Sequence, residues 1–273
     1  ARGHEGPILW RALAIWAIGL ALSVAFGMRM AQSNHDRASS QFDQQALTIE
    51  RDVRARIDAI LPALKGLRAT FLAAPQAMNR GAFRTWVAER NFTIGAAGAR
   101  GLGFIEAVSR DHLDAFVARE QADNAPQFRV RTKGQADELY VIRFVEPMTI
   151  NGPALGFDVG SEPTRRQALE QAIATGEDTL TGRITLVQDG QQRAGFLYYL
   201  PIFRIGMPAN TPAERKAALL GLAYSPVVYD ELLAPAVRPH DAGATVQLFQ
   251  VDPSGGSLLL FVTLLQLAAA FSE

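Results

Sequence analysis

The chain has 273 residues, with 27 Lys plus Arg against 27 Asp plus Glu, and no cysteine. That length supports a hydrophobic core without metal or disulfide staples. The zero net charge removes the electrostatic pull toward nucleic acid, and the lack of thiols removes cysteine catalysis, zinc-thiolate sites and disulfides together.

The first element is apolar. From Ala12 to Met28 no charge interrupts the chain, with Arg11 before the run and Arg29 after it. Extended through Ile8 and Leu9, with Arg11 snorkelling, it reaches the roughly 20 residues a bilayer core requires. Residues 1–30 are therefore predicted as a membrane anchor helix. A cleaved signal peptide is the alternative, but the run is long for one and no small-x-small site follows before Met30. Phe42, Ala46, Ile49, Val53, Ile57, Ile60, Leu64, Leu67 and Phe71 then recur in steps of mostly four and three. This heptad-like stripe predicts a long stalk helix over residues 31–74. It fits either the seam of a homodimer or a helix packed on its own domain, and the two can hold along different halves. Pro62 kinks the helix without interrupting the stripe.

From residue 75 to 262 short helices alternate with strands. Asn79 is placed to cap a helix carrying Phe83, Trp86 and Val87, and a glycine-rich loop feeds a strand at about Leu102 to Val108. Ser109 is read as the cap of the next helix. Leu139 to Pro147 reads as a central strand, with Tyr140, Ile142 and Phe144 on one face and Val141, Arg143 and Val145 on the other. Ser161, Glu162 and Pro163 start a helix that Gly176 stops. Thr185 to Gln188 and Gly195 to Phe203 form a hairpin, and Thr211 with Glu214 forms a capping box. A strand at Leu220 to Tyr224, a short helix and two further strands complete an α+β fold.

Catalytic patterns are missing. His4, His35, His112 and His240 are isolated, so no metal-ligand pair stands out. Gly98, Gly101 and Gly103 precede a strand instead of following one, which is the wrong order for a dinucleotide loop, and there is no G-K-[ST] phosphate loop. No G-x-S-x-G elbow occurs. The expectation is a chain that is not an enzyme, without cofactor or catalytic residue.

Between Gly101 and Phe203 the blocks GLGFIEAVSRDHLDAF, LYVIRFVEP, LGFDVGSEPTRRQALEQAIATGEDTLTGRITLVQ and GFLYYLPIF resemble the CHASE domain. That family is the extracellular sensing domain of plant cytokinin receptors and of many bacterial sensor histidine kinases and diguanylate cyclases. The likeness extends over about Leu67 to Phe261. It implies a bacterial inner-membrane receptor with a periplasmic sensor of two tandem PAS-like α/β subdomains, a dimer joined through the stalk, and a second membrane helix before a cytoplasmic output domain. Here the chain departs, because the apolar run Leu258 to Phe271 is about six residues short of a span. Residues 263–273 are thus either the start of a second membrane segment or an altered tail.

The resemblance also implies a ligand site. The plant receptors' principal contact is an aspartate before the strand that here reads LYVIRF, which matches Asp137 and implies a small organic, adenine-type ligand; read from its neighbours alone, Asp137 is equally a solvated loop residue of KGQADE. By the same matching Phe157, Thr181, Ile184 and Tyr199 line the pocket. Asp158 is read as a brace for the turn into the Ser161 helix, and Arg165 and Arg166 as solvated helix-face charges. The rival functions are a membrane-tethered interaction domain without a small ligand and a periplasmic hydrolase.

Overall fold

A computed structural model describes residues 6–74, 77–90, 98–186, 193–234, 245–251 and 257–264. They fall in two compact units, Ala1–Asp52 and Val53–Glu273. Helix α1 is Gly6–Asp58. On its apolar stretch Trp16, Leu22 and Phe26 are all exposed. Among the described residues no helix is long and apolar enough to cross a membrane. The side chains at 11–15 and 21, which belong to the expected span, lie outside the described ones.

The predicted stalk is divided. Helix α2, Leu61–Ala73, restarts after a break at Ala59 and Ile60, with Pro62 in its first turn, where a missing N–H costs nothing. Ile60, Leu64, Leu67 and Phe71 are buried in the second unit's own core, each Leu or Phe contributing ~1.5–3 kcal/mol. This end of the stripe is intramolecular packing. Helix α3, Arg80–Glu89, begins at Asn79, whose Oδ1 accepts from the Ala82 N–H at 2.8 Å, as its position predicts.

Strand β1, Leu102–Ser109, leads through a 3-10 turn, Arg110–His112, into α4, Leu113–Ala122. Ser109 makes no side-chain capping bond there. Strand β2, Glu138–Glu146, precedes the short α5, Met148–Asn151, and then α6, Pro163–Thr175. The α6 cap is Glu162, which accepts from the Thr164 and Arg165 N–H groups; Ser161 donates back to the Asp158 carbonyl. Gly176 closes the helix at φ 80°, a left-handed conformation that glycine adopts without strain. Strands β3, Thr179–Leu180, β4, Ile184–Thr185, and β5, Ala194–Phe203, follow. Thr211 and Glu214 form the predicted capping box of α7, Pro212–Ala218. Strand β6, Leu219–Val228, and α8, Tyr229–Leu233, precede the strands β7, Thr245–Val251, and β8, Ser257–Leu264.

One antiparallel sheet organises the second unit, in the order β2-β1-β6-β5-β3 with β4 also on β5, while β7 and β8 pair only with each other. The described residues thus hold a six-stranded sheet and a separate two-stranded one. Strand β6 returns to the middle of the first sheet, between β1 and β5. Residues 265–273, most of the expected tail, lie outside the described residues.

The sheet is buried on both faces. Leu197, Tyr199, Leu222, Tyr224, Tyr140 and Ile142 share an apolar cluster with Leu169 and Ile173 of α6. On the opposite side Phe71 of α2 stacks on Phe104 at 4.0 Å between centroids, and Phe83 of α3 on Phe144 at 5.3 Å. Strict alternation along β2 fails at one place. The register shifts from Phe104↔Phe144 to Ile105↔Ile142, leaving Arg143 as the extra residue of a β-bulge. Phe144 therefore joins the α3 side and Val145 the α6 side, opposite to the prediction.

Candidate ligand site

The α6 face of β5 and β6 carries an unusual concentration of buried polar atoms. Tyr199 and Tyr224 sit directly opposite each other across the two strands, and both are fully buried. Neither hydroxyl has a hydrogen-bond partner among the described residues. Burial pushes both phenols well above their ordinary range, so each remains an O–H donor. Room for the Tyr224 ring comes from Gly103 on β1. A Cβ there would lie 2.2 Å from Tyr224 Cε1 and 2.7 Å from the Phe144 carbonyl oxygen, so only glycine fits.

Arg165 completes the group. Its guanidinium donates to the Thr185 carbonyl at 2.7 Å and to Glu162 at 3.3 Å, and stands 5.4 Å from the Phe157 ring centroid. Burial lowers its pKa, opposed by the nearby Tyr199 and Glu162. Arg165 was expected to be a solvated charge, and the structure corrects this: the residue is 6% exposed. The signal was present in the sequence, because 165, 168, 169, 172 and 173 form one stripe at helical spacing and all five are buried. Arg166 is half-buried, donating to the Gly160 and Glu138 carbonyls and to Glu170.

The matched positions separate into two places. Ile184 and Tyr199 belong to the α6-face cluster, and Phe157 packs against it. Thr181 is buried beside them, but its hydroxyl is consumed: Oγ1 accepts from the Leu197 N–H at 3.0 Å and donates to the Gly182 carbonyl at 2.8 Å. Asp137 is exposed at the entrance to β2, and β1 and β6 both stand between that strand and β5. Its carbonyl accepts from the Arg110 N–H. The expected buried carboxylate is instead Asp158, which accepts from the Tyr140 N–H at 2.9 Å, the Gly160 N–H at 3.0 Å and the Thr132 hydroxyl at 2.6 Å. With its oxygens already satisfied by the protein, it braces the turn as predicted.

Tyr224 escaped the matching because nothing in its sequence neighbourhood distinguishes it from an ordinary strand aromatic. Two phenol donors, a guanidinium and apolar walls suit a small molecule presenting acceptor atoms. Among the described residues no group of three or more His, Asp or Glu side chains is placed to hold a metal ion.

Comparison with known families matches the CHASE domain over residues 76–261, a span that contains the sheet, α6 and every residue of the site just described. No match was found among curated proteins. The chain belongs to the CHASE family, the extracellular sensing domain of signalling receptors.

Proposed function

We propose that the chain is the sensing portion of a bacterial inner-membrane receptor, either a sensor histidine kinase or a cyclic-di-GMP enzyme, whose small organic ligand sits on the α6 face of the sheet. The observation that carries this reading is the convergence of two buried, unpartnered tyrosine hydroxyls on one apolar face beside the Arg165 guanidinium. A flat, nitrogen-rich ligand of the adenine type offers ring-nitrogen acceptors to those donors. Asp137 has no part in this arrangement.

Lipid is the partner that suits α1. Trp16, Phe26 and Leu22 are 71%, 71% and 66% exposed within a charge-free run, and a helix apolar all round needs an apolar medium. A reporter that is active only in the periplasm, fused after Leu233, should be active in intact cells. Activity of a cytoplasm-only reporter at the same position would overturn the receptor reading.

The stalk of α1 is the proposed homodimer seam only where it is not already packed. Val53 and Ile60 are buried within their own unit, whereas Leu47 is exposed. Single cysteines introduced one at a time between Ser40 and Asp52, in a chain that has none, should cross-link with heptad periodicity. Uniform or absent cross-linking removes the dimer seam.

A further inference from the structure

We propose that the chain carries a second binding site, separate from the α6 face, where Arg129 and Arg131 hold an organic monocarboxylate with an apolar body. The cavity encloses about 520 Å³, within the roughly 300–1,000 Å³ of small-molecule sites. Its walls come from α3, from residues 124–131 and from residues 148–155 after β2. Arg165, Tyr199 and Tyr224 are not among its lining residues.

Four of the lining side chains are guanidiniums, those of Arg80, Arg84, Arg129 and Arg131, and none is a carboxylate. Two of the four are already matched by acids standing behind the wall. Arg80 meets Glu120 at 3.0 Å and also donates to the Asp123 and Arg143 carbonyls, while Arg84 meets Glu146 at 3.1 Å. Arg129 and Arg131 differ. Among the described residues neither forms an ion pair with any carboxylate, and the exposed Arg129 side chain makes no hydrogen bond either. Asp158, joined to Arg131 through the backbone, gives its side-chain oxygens to the Thr132 hydroxyl and the Tyr140 and Gly160 N–H groups.

Arg131 is held in place. Its Nη2 donates to the Pro153 and Leu155 carbonyls, which orient the guanidinium without cancelling its charge and leave Nε and Nη1 for a ligand. Two guanidiniums without a counter-ion form a fork for one carboxylate, the geometry in which arginine binds that group best. Because Arg80 and Arg84 are paired, the cavity offers no second uncompensated end, so one charged group suffices. The remainder of the ligand meets Phe128, Met148, Pro153 and Leu155. Phe128 belongs to the buried cluster under α4, with Leu155 packed against it, so this floor is continuous with a hydrophobic core and suits a ring or a branched chain.

The test is calorimetric titration of the full chain in detergent micelles with benzoate, phenylacetate and isovalerate. Benzamide and phenylacetamide, which keep the body and lose the charge, are the first controls; acetate, which keeps the charge and loses the body, is another. At least one of the three acids should bind, and its controls should bind at least about tenfold more weakly. Arg129→Gln should weaken the acid by a similar factor with an unchanged melting temperature, since that side chain has no partner in the fold. Arg131→Lys, which keeps the charge without the fork, should fall between the wild type and Arg129→Gln. Failure of all three acids to bind overturns the proposal, as does an amide or acetate binding as tightly as the acid, or binding undiminished in Arg129→Gln. Phenyl phosphate binding more tightly than every acid would overturn the carboxylate in favour of a phosphate ester.

Discussion

Glu120→Ala should destabilise the second unit by ~3–5 kcal/mol, the cost of breaking a buried charge cluster by removing one partner. Glu120 of α4 is fully buried and meets three guanidiniums: Arg80 at 3.0 Å, Arg119 at 3.1 Å and Arg143 at 2.8 Å. Glu106 of β1 closes the network through Arg119 at 2.8 Å and Arg143 at 3.0 Å. Removing Glu120 leaves Arg119 and Arg143 sharing Glu106 and takes from Arg80, itself only 7% exposed, the carboxylate at 3.0 Å. Its guanidinium would keep only the Asp123 and Arg143 carbonyls as hydrogen-bond acceptors. A domain of this size loses about 2–4 °C of melting temperature per kcal/mol, so a fall on the order of 10 °C is expected in a thermal unfolding scan. Glu120→Gln, which keeps the shape without the charge, should fall between the wild type and alanine. A loss below about 1 kcal/mol for alanine would show that the network behaves like an exposed one.

Opposite signs are expected at the candidate site on the α6 face. Tyr199→Phe and Tyr224→Phe each remove a buried hydroxyl that has no partner among the described residues, relieving a desolvation penalty of ~1–3 kcal/mol. Each should therefore raise the melting temperature of the unliganded protein by a few degrees, about 2–4 °C per kcal/mol. The two rings are direct cross-strand neighbours, so the double variant will not be additive. The same double variant should weaken binding of an adenine-type ligand by at least about tenfold, since two donor bonds are lost. Asp137→Ala, at an exposed position two strands away from β6, should change neither quantity. If both tyrosine variants lower stability, the hydroxyls are holding the fold together and are not waiting for a ligand.

Legibility in the sequence followed the range of the interactions. Caps at Asn79 and Thr211, the stop at Gly176 and the strands β7 and β8 depend on residues a few positions apart, and their patterns are local. Long-range pairing was not readable. Nothing near Leu219–Val228 announces that this strand inserts between β1 and β5. The bulge at Arg143 is equally silent, because it is specified by the partner strand's register. Family matching placed Phe157, Ile184 and Tyr199 on one apolar cluster, whereas it placed Asp137 where the sheet exposes it. Arg165 was discounted because its charge was weighed without its stripe.

The break at Ala59 and Ile60 has a mechanical counterpart. Helix α2 is rooted by Leu64, Leu67 and Phe71 on one side of the same two strands whose other side displays Tyr199 and Tyr224. Successive residues of a strand point to opposite faces, so Tyr198 and Tyr199 are fixed to one another by a single peptide unit. Any guest that shifts β5 or β6 to make room for itself also moves the floor on which α2 stands. The sheet is a diaphragm, and α2 is the piece of the molecule that feels it flex.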